Sequence, residues 1–128
     1  MSMRAQTAPG VFQHRYGAAR DIAYGSGPSL GRLTRSDWKQ HARCAGQDRD
    51  AWFAEPGTGT SAHAAQLCHQ CPVRRLCLAW ALVFDEEFGV WGGLDPVRRR
   101  PLTRRLTVGD PLDAVLGSAL GQRGSEVA

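Results

Sequence analysis

Cysteine occurs at four positions in this chain, Cys44, Cys68, Cys71 and Cys77. Three lie close together as Cys68-His69-Gln70-Cys71-Pro72-Val73-Arg74-Arg75-Leu76-Cys77, and Cys44 lies well upstream. Thiols in a one-plus-three arrangement suit one shared metal centre better than two disulfides, so the chain is expected to carry a cofactor. Zinc takes four thiolates readily, and C-x2-C supplies half of such a site. No second C-x2-C or H-x3-H pair completes it. An iron–sulfur cluster held by four cysteines fits irregular spacing with one distant ligand equally well. Residue chemistry alone leaves both metals open, beside the simpler readings of incidental buried thiols or of two disulfides in an exported domain. His69 sits inside the motif, but four ligands are already present, so it reads as a neighbour of the centre. His41 and His63 read as solvated, and His14 falls in a glycine-containing arm.

At 128 residues the chain is one domain at most. A core that small is marginal without a staple. Met1 to Phe12 lack the apolar run of a secretory signal, and no segment approaches the roughly 18 apolar residues of a membrane span. A cytoplasmic protein is expected, with reduced thiols available for metal binding or redox work. The formal charge of +4 comes mainly from arginine, with Lys39 the only lysine. Arginine favours planar recognition of carboxylates and phosphates, although a GC-rich genome produces the same composition.

The elements that must hold the cysteines follow from caps and breakers. Residues 1–33 carry Gly10, Gly17, Gly25, Gly27, Pro28 and Gly31 with few clustered large apolar side chains, and read as a flexible arm. Thr34-Arg35-Ser36-Asp37 is expected to start a short helix carrying Trp38, Ala42 and Cys44. Ala45 to Thr60 reads as a loop anchored by Trp52 and Phe53. Ser61 is expected to cap a second helix ending at Cys68. Pro72 then suits the first position of a third helix, which bends the chain so that Cys77 faces back towards Cys68 and Cys71. Val73, Leu76, Cys77, Trp80, Ala81 and Phe84 form its apolar stripe, and Leu78 and Leu82 add a second apolar side. Phe88-Gly89-Val90-Trp91-Gly92-Gly93-Leu94 reads as a tight turn permitting positive backbone dihedrals. Asp95-Pro96 is a helix start, and Pro101 is expected to interrupt the basic helix that follows. Beyond Leu106 the chain reads as a tail in which Leu112, Val115, Leu116 and Leu120 make at most a weak amphipathic turn or two.

Taken together, Asp37-Trp38, Cys44, Cys68-x2-Cys71-x5-Cys77, the Gly89-Val90-Trp91-Gly92-Gly93 turn and the basic segment after it resemble the WhiB-like family of actinobacteria and their phages, over residues 36–106. The resemblance implies that Cys44, Cys68, Cys71 and Cys77 ligate one [4Fe-4S] cluster responsive to oxygen or nitric oxide. It implies a small helical fold that binds the C-terminal domain of the primary sigma factor, with Gly89, Val90, Trp91, Gly92 and Gly93 at that contact. It assigns the basic segment, Arg98, Arg99, Arg100, Arg104 and Arg105, to DNA. Two departures stand out: the stretch between Cys44 and Cys68 is long for the family, and Pro101 divides the arginines.

The expected fold is therefore all-α, a small bundle of about three to four short helices wrapped around a four-cysteine iron–sulfur cluster, with flexible N- and C-terminal tails. The expected organisation is an arm at 1–33, a cluster-binding domain at 34–94, a basic segment at 95–106 and a tail at 107–128. The expected function is a redox- or nitric-oxide-responsive transcriptional regulator, acting with sigma factor and RNA polymerase at promoter DNA. No membrane, no small-molecule substrate and no catalysis are expected. Two rivals remain: a protein disulfide reductase using Cys68 with Cys71 or Cys77, and a structural zinc module bridging proteins.

Overall fold

A computed structural model describes residues 22–46 and 49–121. Among them the chain forms α1 (Leu30–Thr34), two 3-10 helices (Ser36–His41 and Arg49–Phe53), α2 (Gly59–Cys68), α3 (Arg74–Val83), α4 (Pro96–Thr107) and α5 (Leu112–Leu120). The class is all-α, with no strand among the described residues. None of these helices is long and apolar enough to cross a membrane.

Helix α3 organises the rest because it is apolar on nearly every side, and such a helix must be covered on several faces. Leu78, Ala79, Ala81, Leu82 and Val83 are all buried in it. It begins at Arg74, with Val73 as its cap and Pro72 in the preceding turn. This is later than expected, because the Val73 carbonyl already accepts from the Cys77 N–H at 2.8 Å. One side of α3 packs into a core with Leu33 of α1, Leu106 of α4, and Leu112, Val115, Leu116 and Leu120 of α5. On the cysteine side a second, smaller core holds Trp52, Ala64, Cys68 and Val90.

The larger core corrects the reading of both tails as flexible, over the part of them that is described. Leu112, Val115, Leu116 and Leu120 share one helical face and are buried, so α5 covers α3 instead of trailing into solvent. From the arm, Leu33 is fully buried, and α1 is started by Ser29, whose Oγ accepts from the Arg32 N–H at 3.1 Å. The two ends of the described chain are joined to each other: the Leu112 N–H donates to the Ala23 carbonyl at 2.8 Å, and the Ser26 hydroxyl donates to Asp113 Oδ2 at 2.6 Å. This hydroxyl, with the Ser26 N–H, holds the Asp113 carboxyl below the usual carboxylate range. Residues 1–21 of the arm, including His14, and 122–128 of the tail lie outside the described residues.

Three local expectations also change. The segment at Trp38 is a 3-10 helix over Ser36–His41 with no side-chain cap, and it stops before Ala42, whose ψ of 144° is extended. Cys44 therefore sits in a turn. In α2 the cap is Thr58, whose Oγ1 accepts from the Ser61 N–H at 3.1 Å, so Ser61 itself lies inside the first turn. Finally, Pro101 does not interrupt α4, which is started as expected by Asp95 ahead of Pro96. The hydrogen bond Pro101 cannot make would have gone to the carbonyl of Val97, an exposed residue at the solvent side of the helix.

If α5 is part of the core, Leu116→Ala should destabilise the protein by about 3 kcal/mol, the usual size for a fully buried leucine. Chemical denaturation followed by far-ultraviolet circular dichroism measures this. A change below about 0.5 kcal/mol, the size of a surface substitution, would return α5 to the tail.

Candidate metal centre

Cys68 closes the last turn of α2, Cys71 lies in the turn between α2 and α3, Cys77 is in the first turns of α3, and Cys44 approaches from the turn after the first 3-10 helix. All four are free thiols. The bend at Cys71-Pro72-Val73 brings Cys77 back towards Cys68, as the proline suggests. Cys44 and Cys77 share the wall of a cavity of about 310 Å³ with Trp38, Lys39 and Trp91. The four sulfurs are near enough that Cys44 and Cys71 each oppose ionisation of both Cys68 and Cys77.

The glycine turn forms part of the same centre. Trp91 and Leu94 exchange backbone hydrogen bonds at 3.0 and 3.1 Å around Gly92 and Gly93, whose φ values are +62° and +87°. Positive φ at both central positions is the signature of the tight hairpin turn that glycine makes without strain. At Gly92 a side chain is excluded by space as well, since a Cβ there would lie 2.6 Å from Leu78 Cβ and 3.1 Å from the Arg74 carbonyl oxygen. Pressed against α3 in this way, the turn aims the Gly92 N–H at the Cys77 sulfur and the Gly93 N–H at the Cys68 sulfur. Trp52 donates its indole N–H to Cys68 Sγ at 3.4 Å, and the Arg43 backbone N–H reaches Cys71 Sγ at 3.4 Å.

Burial and these donors act in opposite directions on the thiols. Burial pushes Cys77 up to about 12, against the Gly92 N–H. Burial likewise raises Cys68, against the Trp52 indole and the Gly93 N–H. Thiolates in such a place need a bound cation to exist at neutral pH. The N–H groups aimed at sulfur are what a metal-bound thiolate, with its lone pairs, accepts. The donor set thus fits a thiolate-ligated metal group. Yet among the described residues no three Cys, His, Asp or Glu side chains gather closely enough to hold a single metal ion.

The turn is held from outside by two arginines. Arg74 Nε donates to the Gly92 carbonyl at 3.0 Å. Arg99 is 3% exposed and donates to three carbonyls: Gly89 at 2.6 Å, Leu94 at 2.7 Å and Glu86 at 2.9 Å. This corrects the assignment of Arg99 to DNA, because its guanidinium is used up inside the fold. The periodicity of α4 carried the signal, since Asp95, Arg99, Leu102 and Leu106 stand on one face. Arg98, Arg100 and Arg104 are exposed. Arg105 is half-exposed, pairing with Asp110 at 2.7 Å and donating to Ser118 Oγ at 2.9 Å.

Of the five turn residues expected at a partner contact, Gly89, Val90, Gly92 and Gly93 are buried, and Trp91 alone is partly exposed. Trp91 donates its indole N–H to the Phe88 carbonyl at 2.9 Å. Phe88 is 70% and Phe53 50% exposed, and Phe53 lies against Gly89, so three aromatics rim the turn. Phe53, Trp52, Arg43 and Arg74 were not singled out as site residues by sequence. His41, His63 and His69 are exposed. Burial, then Arg74, lowers the His69 pKa.

The fold is thus a small helical module in which four free thiols gather beside a diglycine turn. This chain belongs to the WhiB family: the family model described as transcription factor WhiB matches residues 38–102. The chain is similar to the transcriptional regulator WhiB2 of Mycolicibacterium smegmatis, 46% identical over 67 residues, which covers 52% of this chain and 51% of that one. It thus spans about half the length of that relative. To WhiB2 of Mycobacterium tuberculosis it is also 46% identical over 67 residues, covering 52% of this chain and 74% of the other. To WhiB2 of Bifidobacterium longum it is 39% identical over 93 residues, covering 70% and 93%.

Removing Arg99 leaves carbonyls without partners beside the thiols. Arg99→Met should destabilise the protein by about 3 kcal/mol or more, given about 1–3 kcal/mol per unsatisfied buried group. The exposed neighbour Arg100→Met should change it by less than about 0.5 kcal/mol. Equal effects of the two substitutions in denaturant titrations would sink the bracing role of Arg99.

Proposed function

We propose that this chain is a transcriptional regulator whose Cys44, Cys68, Cys71 and Cys77 hold one [4Fe-4S] cluster, and whose aromatic rim at Trp91 docks on the C-terminal domain of the primary sigma factor. The observation that carries this reading is the double role of the glycine turn. Its buried face directs two N–H groups at cysteine sulfurs, and its partly exposed residue is a tryptophan flanked by Phe53 and Phe88. A change of charge or ligation at the sulfurs therefore bears directly on the backbone that carries Trp91. When bound, a cluster of this kind supplies reversible one-electron chemistry and reactivity towards oxygen or nitric oxide. The chain's own residues bury the sulfurs, bond to them, and link them to a surface.

Zinc is the weaker alternative. Four sulfurs on one zinc ion lie ~2.3 Å from a common point, and among the described residues no three such ligands are gathered to hold a single ion. A cluster in which each thiolate has its own iron tolerates wider spacing. Disulfide reduction is disfavoured as well, because burial raises the pKa of Cys68 and Cys77, whereas exchange needs an accessible thiolate. Contacts to promoter DNA fall to Arg98, Arg100 and Arg104, with Arg105 shared with Asp110. Such contacts are to phosphates, salt-dependent and nearly sequence-blind, so specificity comes from sigma factor already seated on the promoter.

Anaerobically isolated protein should be brown with about four irons per chain, and serine at any of the four cysteines should bleach it. Stoichiometric zinc without iron would overturn the cofactor. Trp91→Ala should weaken sigma-factor binding by about 2 kcal/mol, as for an interface hot spot, with cluster absorption retained. Loss of the cluster in that variant would make Trp91 a core residue instead.

A further inference from the structure

A cavity of about 440 Å³ runs along one face of α2, from Thr58 and Ser61 past Gln66 to His69, and is bounded by Gly93 of the glycine turn and by Asp95 and Arg98 at the start of α4. Gly59 and Thr60, whose first-turn N–H groups have no carbonyl four residues back to bind, lie next to the lining residues Thr58 and Ser61 and not in the lining itself. A helix start of this kind favours an anion. An independent observation comes from Ser61. It is 4% exposed and lines the cavity, yet its hydroxyl makes no hydrogen bond to any described residue. It is not needed as a cap either, since Thr58 performs that role. A buried hydroxyl without a partner costs about 1–3 kcal/mol, so one turned into a cavity marks a place for a guest. The exposed Arg98 supplies a guanidinium at the rim. Asp95, the carboxylate on the wall, is engaged through Oδ1 with the Arg98 N–H at 2.8 Å as the cap of α4.

We propose that this cavity seats one phosphoryl group, held by the α2 N-terminus, the Ser61 hydroxyl and Arg98. The DNA backbone is the favoured source, an assignment that rests on the DNA contacts read above; free phosphate is the other. The cavity is much larger than one phosphate and has room for flanking sugars. Arg105 lies about two turns further along the same face of α4, where a strand leaving the seat would continue. The seat reads no base. It adds to the arginines a fixed point that sets the protein's register on a duplex.

The test uses the full chain, purified anaerobically, with a short duplex and, separately, inorganic phosphate as probes. Hydrogen exchange over residues 57–62 should slow on adding duplex. Ser61→Ala, which removes no charge, should weaken duplex binding about fivefold, the size of one net hydrogen bond. Arg98→Gln should reduce the slope of log affinity against log salt by about 0.9. The double variant should lose less than the two effects added together, because both groups hold the same phosphate. Circular dichroism and visible absorption check that each variant is folded and loaded. Slowed exchange with phosphate, but no duplex binding, keeps the seat and removes DNA as its source. Duplex binding with exchange unchanged at 57–62 and full affinity in Ser61→Ala overturns the seat and leaves the DNA reading intact. No response to either probe overturns both.

Discussion

A guanidinium enclosed by three carbonyls is the constraint on which the rest of this structure depends. A buried arginine is costly unless its donors are bonded, and Arg99 places three of its five N–H groups on the oxygens of Glu86, Gly89 and Leu94. The Leu94 oxygen also accepts from the Trp91 N–H, while the Glu86 and Gly89 oxygens belong to irregular backbone of the same segment. Arg99 thus folds residues 86–94 back over α3, and Arg74 holds the same turn at Gly92. Only in that position do Gly92 and Gly93 direct their N–H groups at sulfur. Burial favours a neutral arginine, while Asp95, Cys77, Glu86 and Asp85 favour the charged one. Negative charge on Cys77 therefore also stabilises the residue that holds the turn.

Helix α3 separates two kinds of core. The larger one, built with α1, α4 and α5, is made of apolar side chains, mostly aliphatic with Phe84 among them, and holds no cysteine among the described residues. The smaller one includes Cys68 among its buried members, with Trp52 and Val90, and Cys44 packs against it. The Val90 N–H is bonded to the Trp52 carbonyl at 2.6 Å, so the turn and the second 3-10 helix move together. If the cysteines ligate a cluster as proposed, its loss would change packing and charge chiefly in the smaller core, which holds Cys68 and borders Cys44. Such a change is confined to the segments bearing Phe53, Phe88 and Trp91, while α3 and α5 retain their apolar contacts. For the regulator proposed above, this division would let one face respond while the frame stays packed.

The sequence made the cysteines legible through spacing, and Pro72 made the bend between Cys71 and Cys77 legible through sterics. The Asp95-Pro96 helix start and the burial of α3 followed from caps and composition. What it did not yield has physical reasons. Leu112, Val115, Leu116 and Leu120 form a good stripe, but glycines at 109, 117 and 121 lowered the helical expectation, which tertiary burial overrode. Thr58 and Ser61 are both competent caps three residues apart, and local chemistry does not choose between them. Arg99 was hidden by the company of Arg98 and Arg100: a run of like residues reads as one basic surface, although a helix sends its neighbours in different directions. The donors to sulfur from Trp52 and Arg43 lie far from Cys68 and Cys71 in sequence, and only the closed fold brings them there.

That dispersal of the arginines also limits how this helix can meet nucleic acid. Arg99 points inward, Arg105 is shared with Asp110, and Arg98 stands roughly opposite Arg100 and Arg104 around the helix axis. Arg100 and Arg104 line a cavity of about 490 Å³ together with Asp85, Glu86 and Glu87, so their field at a phosphate is reduced by three carboxylates on the facing wall. Arg98 faces the other way, beside a helix N-terminus and one carboxylate already engaged as a cap. Of the two sides of α4, the Arg98 side, with fewer carboxylates facing its guanidinium, is thus the better electrostatic match to a phosphodiester. Affinity built on one guanidinium beside a helix start is weak, with a salt slope of about one phosphate, which suits the function proposed above, in which a partner would supply the address on the promoter.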